Sequence, residues 1–291
     1  MIQSPLNYTG GKYKLLPQIL PHFPKEIHTF VDLFCGGCNV GINVGAQNHI
    51  YNDTNEHLLY LYNTFKNLGK DLVFQWVYQI IEKYDLSMVS KYGYEHYGCD
   101  SAKGLSSYNK SRYLKLRADF NARTPEDYYY YVMLYVIVVY AFNNQIRFNR
   151  KKEFNLPVGK RDFNGRMQKK LADFIDVMQA QDARFLCLDF RSFDLSSLRK
   201  EDFVYVDPPY LITCATYNEQ GGWNEDDERD LLIFLDRLST QGYALLFPMS
   251  LEAREKRMQS YARGRRRMCS TIVSYRSNTA MPMRAIIRRI K

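Results

Sequence analysis

The stretch FVYVDPPYL, residues 203–211, constrains the fold more than any other in the chain. Strand-forming residues run into a carboxylate and then into two prolines, neither of which has an N–H to give to a β-ladder. The run predicts a buried strand within 202–210 that stops in a stiff turn, with Asp207 and Tyr210 held at its mouth. Similar apolar runs, each ending in a polar or glycine-rich turn, stand at 28–34 (HTFVDLF), 49–53 (HIYND) and 184–190 (RFLCLDF). A fifth, YALLF at 243–247, follows an amphipathic helix expected over 227–242, with Gly242 as its C-terminal cap. Apolar strands alternating with helices define an α/β chain. The expected architecture is a mostly parallel sheet with helices on both faces and ligands at the carboxyl edge of the strands.

The 291 residues suffice for one large domain or two moderate ones. Between the second and third runs lies a tyrosine-rich stretch, largely helical by periodicity and too long for a crossover. It predicts an inserted, mainly helical domain over 60–180, with 1–59 and 181–291 forming the sheet domain. The apolar stretch YYYYVMLYVIVVYAF at 128–142 is too short and too rich in tyrosine to span a bilayer. Its four leading tyrosines read as helix packing. The six cysteines show no disulfide framework and no secretory pattern precedes the first motif, so a reducing cytoplasm is expected.

Three glycine or acidic corners accompany the proline corner. In FVDLFCGGCNVGINV, 30–44, a strand ends at Asp32-Leu33-Phe34, two glycines turn, and a helix is expected from about Asn39. Such a turn lets a ligand approach the backbone, although the G-x-G-x-x-G dinucleotide spacing is absent. Cys35 and Cys38 lack a second ligand pair, so no metal site is expected. In YNDTNEH, 51–57, Asp53 follows the second strand about 20 residues after the glycine turn, the place of a ribose-binding acid. A helix N-cap is the alternative. LNYTGGKYKLLPQI, 6–19, places a Gly-Gly-Lys before a helix without the full phosphate-loop pattern.

The chemistry that suits the proline corner is activation of an exocyclic amine on a nucleobase. Its lone pair is delocalised into the ring. Acceptors on its N–H groups help to localise that pair, and Asp207 and the carbonyl of Pro208 can supply them. Tyr210 can stack on a base taken out of its helix.

Together these pieces resemble the Dam-like, GATC-type DNA adenine-N6 methyltransferases. NYTGGK resembles their N-terminal motif, DLFCGGCNVG their S-adenosylmethionine loop, NDTN their acidic ribose motif and DPPY their catalytic motif; RFNRKKEFNLPVGKR, 147–161, resembles the end of their target-recognition region. The resemblance covers about residues 4–246 and implies a Rossmann-like sheet with an inserted DNA-recognition domain. It implies S-adenosylmethionine as cofactor, with Tyr8 and Lys12 bordering it and Phe34, Gly36 and Gly37 forming its turn. Asp53 would hold the ribose, Asp189 and Phe190 would meet the adenine, and Asp207, Pro208, Pro209 and Tyr210 would be catalytic. Cys38 departs from the pattern, since many members have glycine there. Rivals in the same chemistry are cytosine N4, RNA adenine and protein glutamine methylation. A rival outside it is a DNA- or cofactor-binding protein with little or no turnover.

The implied partner is double-stranded DNA, read at a short site, with a cognate restriction endonuclease as protein partner and a monomer as the working state. Lysines and arginines between Lys83 and Arg117 read as solvated surface. Those from 143 to 161 interleave with amides that read base edges, which makes Asn143, Asn144, Arg147, Asn149, Arg150 and Lys152 the candidate DNA contacts. The Pro-Val-Gly that follows suggests the turn of a loop entering a groove. The net charge of +9 sits in the tail: Phe247 to Lys291 carry twelve Lys and Arg against two Glu, and the rest 28 basic against 29 acidic residues. The tail lacks the Ser/Asn loop of the family. Codons TTT-CCA-ATG-TCN for Phe247 to Ser250, read from the third base, spell Ser-Asn-Val. An out-of-frame segment and a basic DNA-binding arm are both compatible with the tail.

Overall fold

The computed structural model describes residues 1–124, 127–209, 223–250 and 272–275. The chain forms two compact units. A helical unit is built from Met1–Tyr13, Gly36–Asn43 and Asn55–Gln181, and a sheet unit from Lys14–Cys35, Val44–Thr54 and Asp182–Lys291. The helices in chain order are α1 (Leu16–Ile19), α2 (Glu56–Lys83), α3 (Val89–Tyr92), α4 (Ser106–Asn121), α5 (Tyr128–Tyr140), α6 (Gly165–Ala180) and α7 (Glu225–Thr240). The strands are β1 (Thr29–Asp32), β2 (Asn48–Asn52), β3 (Ala183–Leu186), β4 (Phe203–Tyr205), β5 (Ala244–Ser250) and β6 (Ile272–Tyr275).

All strand pairs are parallel, in the order β3-β2-β1-β4-β5-β6. The chain winds outward from β1 in one direction and from β4 in the other. The topological switch therefore falls between β1 and β4, where an open parallel sheet binds its ligand. The expected strands all form, and a sixth, β6, lies in the stretch where none was expected. Residues 247–250 continue β5, and most of the tail lies outside the described residues.

Side chains on the central strands alternate between two buried faces. Phe30, Phe203 and Tyr205 share one face, where Phe23 meets their rings at 5.6, 5.2 and 5.9 Å between centroids. Val31, Val204, Val206 and Leu245 share the other, packed with Leu231, Phe234, Leu235 and Leu238 of α7. Both faces are covered, which is why the strands read as continuous apolar runs.

Helix α7 is fixed at each end by local sequence. The Asn224 side chain accepts from the N–H groups of Asp226 and Asp227, and Asp227 returns a bond to the Asn224 N–H at 2.9 Å. Carboxylates at 225–228 suit the positive end of the helix. At the other end Gly242 takes φ +79, and the N–H groups of Gly242 and Tyr243 return to Ser239 and Leu238 at 3.0 Å each. The helix expected over 227–242 thus starts two residues earlier, and its glycine cap is where the sequence placed it.

In the helical unit α5 is the central element, with α2 and α4 packed on it. Every residue from Tyr130 to Tyr140 is buried, as a helix without a polar face requires. Tyr130 and Tyr131 are packing residues, and Tyr130 stacks on Phe120 at 4.4 Å. Tyr128, at the helix start, is 41% exposed. No helix among the described residues is long and apolar enough to cross a membrane.

The helix expected from about Asn39 does not form; a 3-10 turn, Gly41–Asn43, stands there. Asn39 and Asn43 use their amides on the amino-terminal segment instead. Ser4 donates its N–H to Asn39 Oδ1 at 3.0 Å, and Asn43 exchanges two bonds with the backbone of Ile2 at 2.7 Å each. Side-chain bonds of this kind compete with the helical ladder.

Candidate functional site

The carboxyl edge of the sheet unit gathers polar groups from four strands. At β4, Val206 continues the ladder by donating to Leu246 O at 3.0 Å, and Asp207 follows, half-buried. Pro208 is buried and Pro209 exposed, so the prolines end the strand where the sequence said they must. Tyr210 lies outside the described residues. At β1, Asp32 is 1% exposed and Leu33 donates to Tyr205 O at 3.0 Å, which fixes the chain leading to Phe34.

Asn52, at the end of β2, was missed by sequence reasoning, which took its neighbour Asp53. Its side chain is buried and joins three strand ends. Nδ2 donates to Leu33 O and to Leu188 O at 3.0 Å each, and Oδ1 accepts from the Leu188 N–H at 3.1 Å. Asp53 is half-buried and donates its backbone N–H to Leu186 O at 3.3 Å. The N-cap position of α2 belongs to Asn55, two residues on.

After β3, the Asp189 side chain is 45% exposed and caps the turn Phe190–Ser192, accepting from the Arg191 N–H at 2.8 Å. Phe190 is buried. Its ring packs on Phe34 at 5.6 Å and Trp223 at 5.7 Å, and Phe34 meets Trp223 edge-on at 5.9 Å. Trp223 donates to Glu228 Oε2 at 2.9 Å. Neither Trp223 nor Arg191 lies in a motif that marks it, so only the packing reveals them.

In the helical unit, Gly36 has φ +45, and a Cβ there would lie 2.8 Å from Cε1 of the Tyr8 ring. The Gly-Gly pair is thus required by its backbone and by the tyrosine laid against it. The Gly36 carbonyl accepts from the Tyr62 hydroxyl at 2.7 Å. Lys12 is buried and its ammonium donates to Gly10 O at 3.0 Å. Cys38 has φ +54, a left-handed conformation that explains why glycine is the usual residue in the pattern it resembles. Cys35 and Cys38 are both buried, and no cluster able to hold a metal occurs among the described residues.

The 141–159 stretch is a hairpin. Ala141 pairs with Val158, and Phe148 with Phe154, both antiparallel. The Pro-Val-Gly lies at the root of the hairpin: Phe142 donates to Pro157 O at 2.8 Å and Gly159 to Tyr140 O at 2.7 Å. The tip is Arg150-Lys151-Lys152, closed by the Lys152 N–H on Asn149 O at 2.9 Å with Lys152 at φ +61. These three cations are exposed and have no ion pair among the described residues.

Three of the expected DNA contacts have internal partners. Arg147 Nε donates to Asn155 Oδ1 at 2.8 Å. Asn149 accepts from the N–H groups of Lys151 and Glu153 at 2.9 and 3.0 Å. Asn144 Nδ2 donates to Val139 O and closes the end of α5. Asn143 is exposed and its carbonyl accepts from Asn7 Nδ2 at 2.8 Å, which ties the NYTGG segment to this hairpin. Asn143 and Asn144 both have positive φ, a conformation asparagine adopts more readily than most residues. Between them and α5 stands Phe142, 50% exposed, an aromatic inside a polar run that sequence reading passed over. His57 stacks on Phe148 at 4.0 Å. Burial lowers the His57 pKa; Glu56 opposes this and Lys152 adds to it.

A parallel sheet with acidic and aromatic residues gathered at its carboxyl edge is a Rossmann-like α/β protein. Residues 8–263 match the family model of the D12 class N6 adenine-specific DNA methyltransferases, and the chain belongs to that family. It is 40% identical over 248 residues to the modification methylase StsI of Streptococcus sanguinis, covering 83% of this chain and 34% of the relative. It is 39% identical over 247 residues to the type II methyltransferase M.FokI of Planomicrobium okeanokoites, with coverage of 83% and 34%. It is 29% identical over 215 residues to the DNA adenine methylase of Salmonella typhi, with coverage of 73% and 66%. The chain spans about a third of the length of the first two relatives.

Proposed function

We propose that this chain transfers a methyl group from S-adenosylmethionine to N6 of adenine in double-stranded DNA at a short specific site. The observation that carries the reading is the β4 corner, a half-buried carboxylate followed by two prolines at the switch point of a parallel sheet. Asp207 and the Pro208 carbonyl accept the two N–H groups of the target amine and localise its lone pair for attack. The β4 ladder continues through Val206, next to both acceptors, which supports a preorganised corner.

The edge residues suit an adenosyl ligand by their chemistry. Aromatic Phe34, Phe190 and Trp223 match a flat ring, and Asp53 and Asp189 are acceptors for a diol and an amine, as the family resemblance assigns them. Tyr8, Lys12, Gly36 and Gly37 take their cofactor roles from the same resemblance. When bound, the cofactor supplies an electrophilic methyl group on a positively charged sulfur.

The hairpin tip, Arg150 to Lys152, is the phosphate-contacting element. Tyr210 takes its role as stacking partner of an everted adenine from the family resemblance. Arg147, Asn144 and Asn149 shape the hairpin, and Asn143 is left to face bases. A restriction endonuclease of matching site is the protein partner in this reading, which the naming of relatives as modification methylases suits. The chain acts as a monomer in the cytoplasm.

The test is transfer of labelled methyl from S-adenosylmethionine to duplex DNA, with mass analysis of the methylated nucleoside. Asp207→Ala should lower turnover by about 100–1,000-fold while cofactor affinity stays within a few-fold. Asp53→Ala should weaken cofactor binding by about ten- to a hundred-fold. A product of N4-methylcytosine, or an Asp207→Ala variant with near-normal turnover, refutes the reading.

A further inference from the structure

Arg191 lies among three carboxylates of the sheet unit. Its guanidinium reaches three carboxylates: Nε to Asp230 Oδ2 at 2.6 Å, Nη2 to Asp227 Oδ1 at 2.7 Å and Nη1 to Asp189 Oδ2 at 3.0 Å. It also lies over the Phe190 ring, 4.6 Å from the centroid. Asp227 and Asp230 stand three residues apart on α7, while Asp189 heads the turn after β3. All of these residues belong to the sheet unit.

We propose that Arg191 is the positioning residue of the cofactor's adenine subsite, holding the Asp189 carboxylate and the Phe190 ring in a receptive arrangement and tying both to α7. The inference rests on the assignment of Asp189 and Phe190 to the adenine made above. A carboxylate offers about four lone-pair sites. The backbone N–H and the guanidinium of Arg191 occupy part of that capacity and leave Asp189 able to accept from one more donor. Without the cation, three carboxylates would face one another and the half-exposed Asp189 would turn to water.

An isolated surface pair contributes little. A planar fork shared by three acceptors and stacked on a ring fixes orientation as well as charge. Burial pulls the Arg191 pKa down, but the bonds to Asp227 and Asp230 and the charge of Asp189 outweigh it and raise the pKa overall. The cation is therefore present throughout the working pH range. An acceptor held in this way selects a purine with an amine over one with a carbonyl at the same position. When the carbonyl analogue binds, the held carboxylate leaves two acceptors facing each other.

Calorimetric titration of S-adenosylhomocysteine and S-inosylhomocysteine, which carries a carbonyl in place of the amine, tests this. The unaltered chain should prefer the adenosyl ligand by about ten-fold or more. Arg191→Met keeps a stem over Phe190 and should abolish the preference, weakening the adenosyl ligand by about ten-fold and the inosyl ligand by less than about three-fold. Arg191→Lys keeps the charge without the fork and should retain about a three-fold preference; it serves if the methionine variant does not fold. A full preference in either variant, or equal weakening of both ligands, overturns the proposal and leaves Arg191 a staple for α7. Asp189→Ala separates the two assignments. If it leaves both affinities unchanged, the adenine assignment itself has failed. If it abolishes the preference while Arg191→Met keeps it, only the role of Arg191 has failed.

Discussion

Replacing Asn52 with alanine should disturb three strand ends at once. The side chain is 1% exposed and makes three bonds, two as donor to Leu33 O and Leu188 O and one as acceptor from the Leu188 N–H. Each is worth about 1 kcal/mol net, and a buried group left without a partner costs about 1–3 kcal/mol. Partial relaxation of the vacated space brings the expected loss to about 2–4 kcal/mol. At about 2–4 °C per kcal/mol for a domain of this size, the melting temperature should fall by roughly 4–16 °C. Leu33 precedes Phe34 and Leu188 precedes Asp189, so cofactor affinity should fall as well, by about ten-fold. Asn52→Asp keeps the volume but turns two donors into acceptors that face carbonyl oxygens. The introduced carboxyl would bind its proton more tightly in the native state than in the unfolded chain. Its penalty should therefore be largest at neutral pH and shrink as the pH falls. Thermal melts at pH 7.5 and 5.5 with calorimetry of cofactor binding measure both effects. An alanine variant within about 1 kcal/mol of the parent, with unchanged affinity, refutes the view that Asn52 joins the strand ends.

The hairpin and His57 supply two further tests. Lys152→Gly removes a tip charge and suits the positive φ at that position, so DNA binding should weaken alike for all sequences and the salt slope should drop by about one unit. Arg147→Ala should loosen the hairpin through Asn155 and weaken binding with little change in slope; a one-unit fall in its slope would move Arg147 to the phosphate contacts. Burial, the largest cause, holds the His57 pKa below 6.5, so the native state takes up that proton less readily than the unfolded chain. The stability it contributes is complete above about pH 6.5 and is lost as the pH falls toward the folded value. His57→Phe keeps the stack on Phe148 and should lose less melting temperature between pH 7.5 and 5 than the parent, and equal losses would count against it.

The sequence by itself determined the elements whose causes are local. Two prolines end β4, Asn224 and Gly242 bound α7, and continuous apolar runs mark strands covered on both faces. The Gly-Gly turn and the acid after β2 were also legible, because a tight turn and a strand end restrict residue type within a few positions. Tertiary structure decided what those positions do. Asn52 meets Leu188 across 136 residues of chain, and Asn7 meets Asn143 across the same separation. Arg191 finds Asp227 and Asp230 only once α7 has packed on the sheet. The expected helix at Asn39 gave way because its asparagines found the amino-terminal backbone, and Arg147 and Asn149 bond within the hairpin because partners for them lie inside the loop. Periodicity and motif spacing record what neighbouring residues require of one another. They carry no record of hydrogen bonds and ion pairs that form only after distant segments are brought together, and in this protein those bonds fix how the edge residues are held.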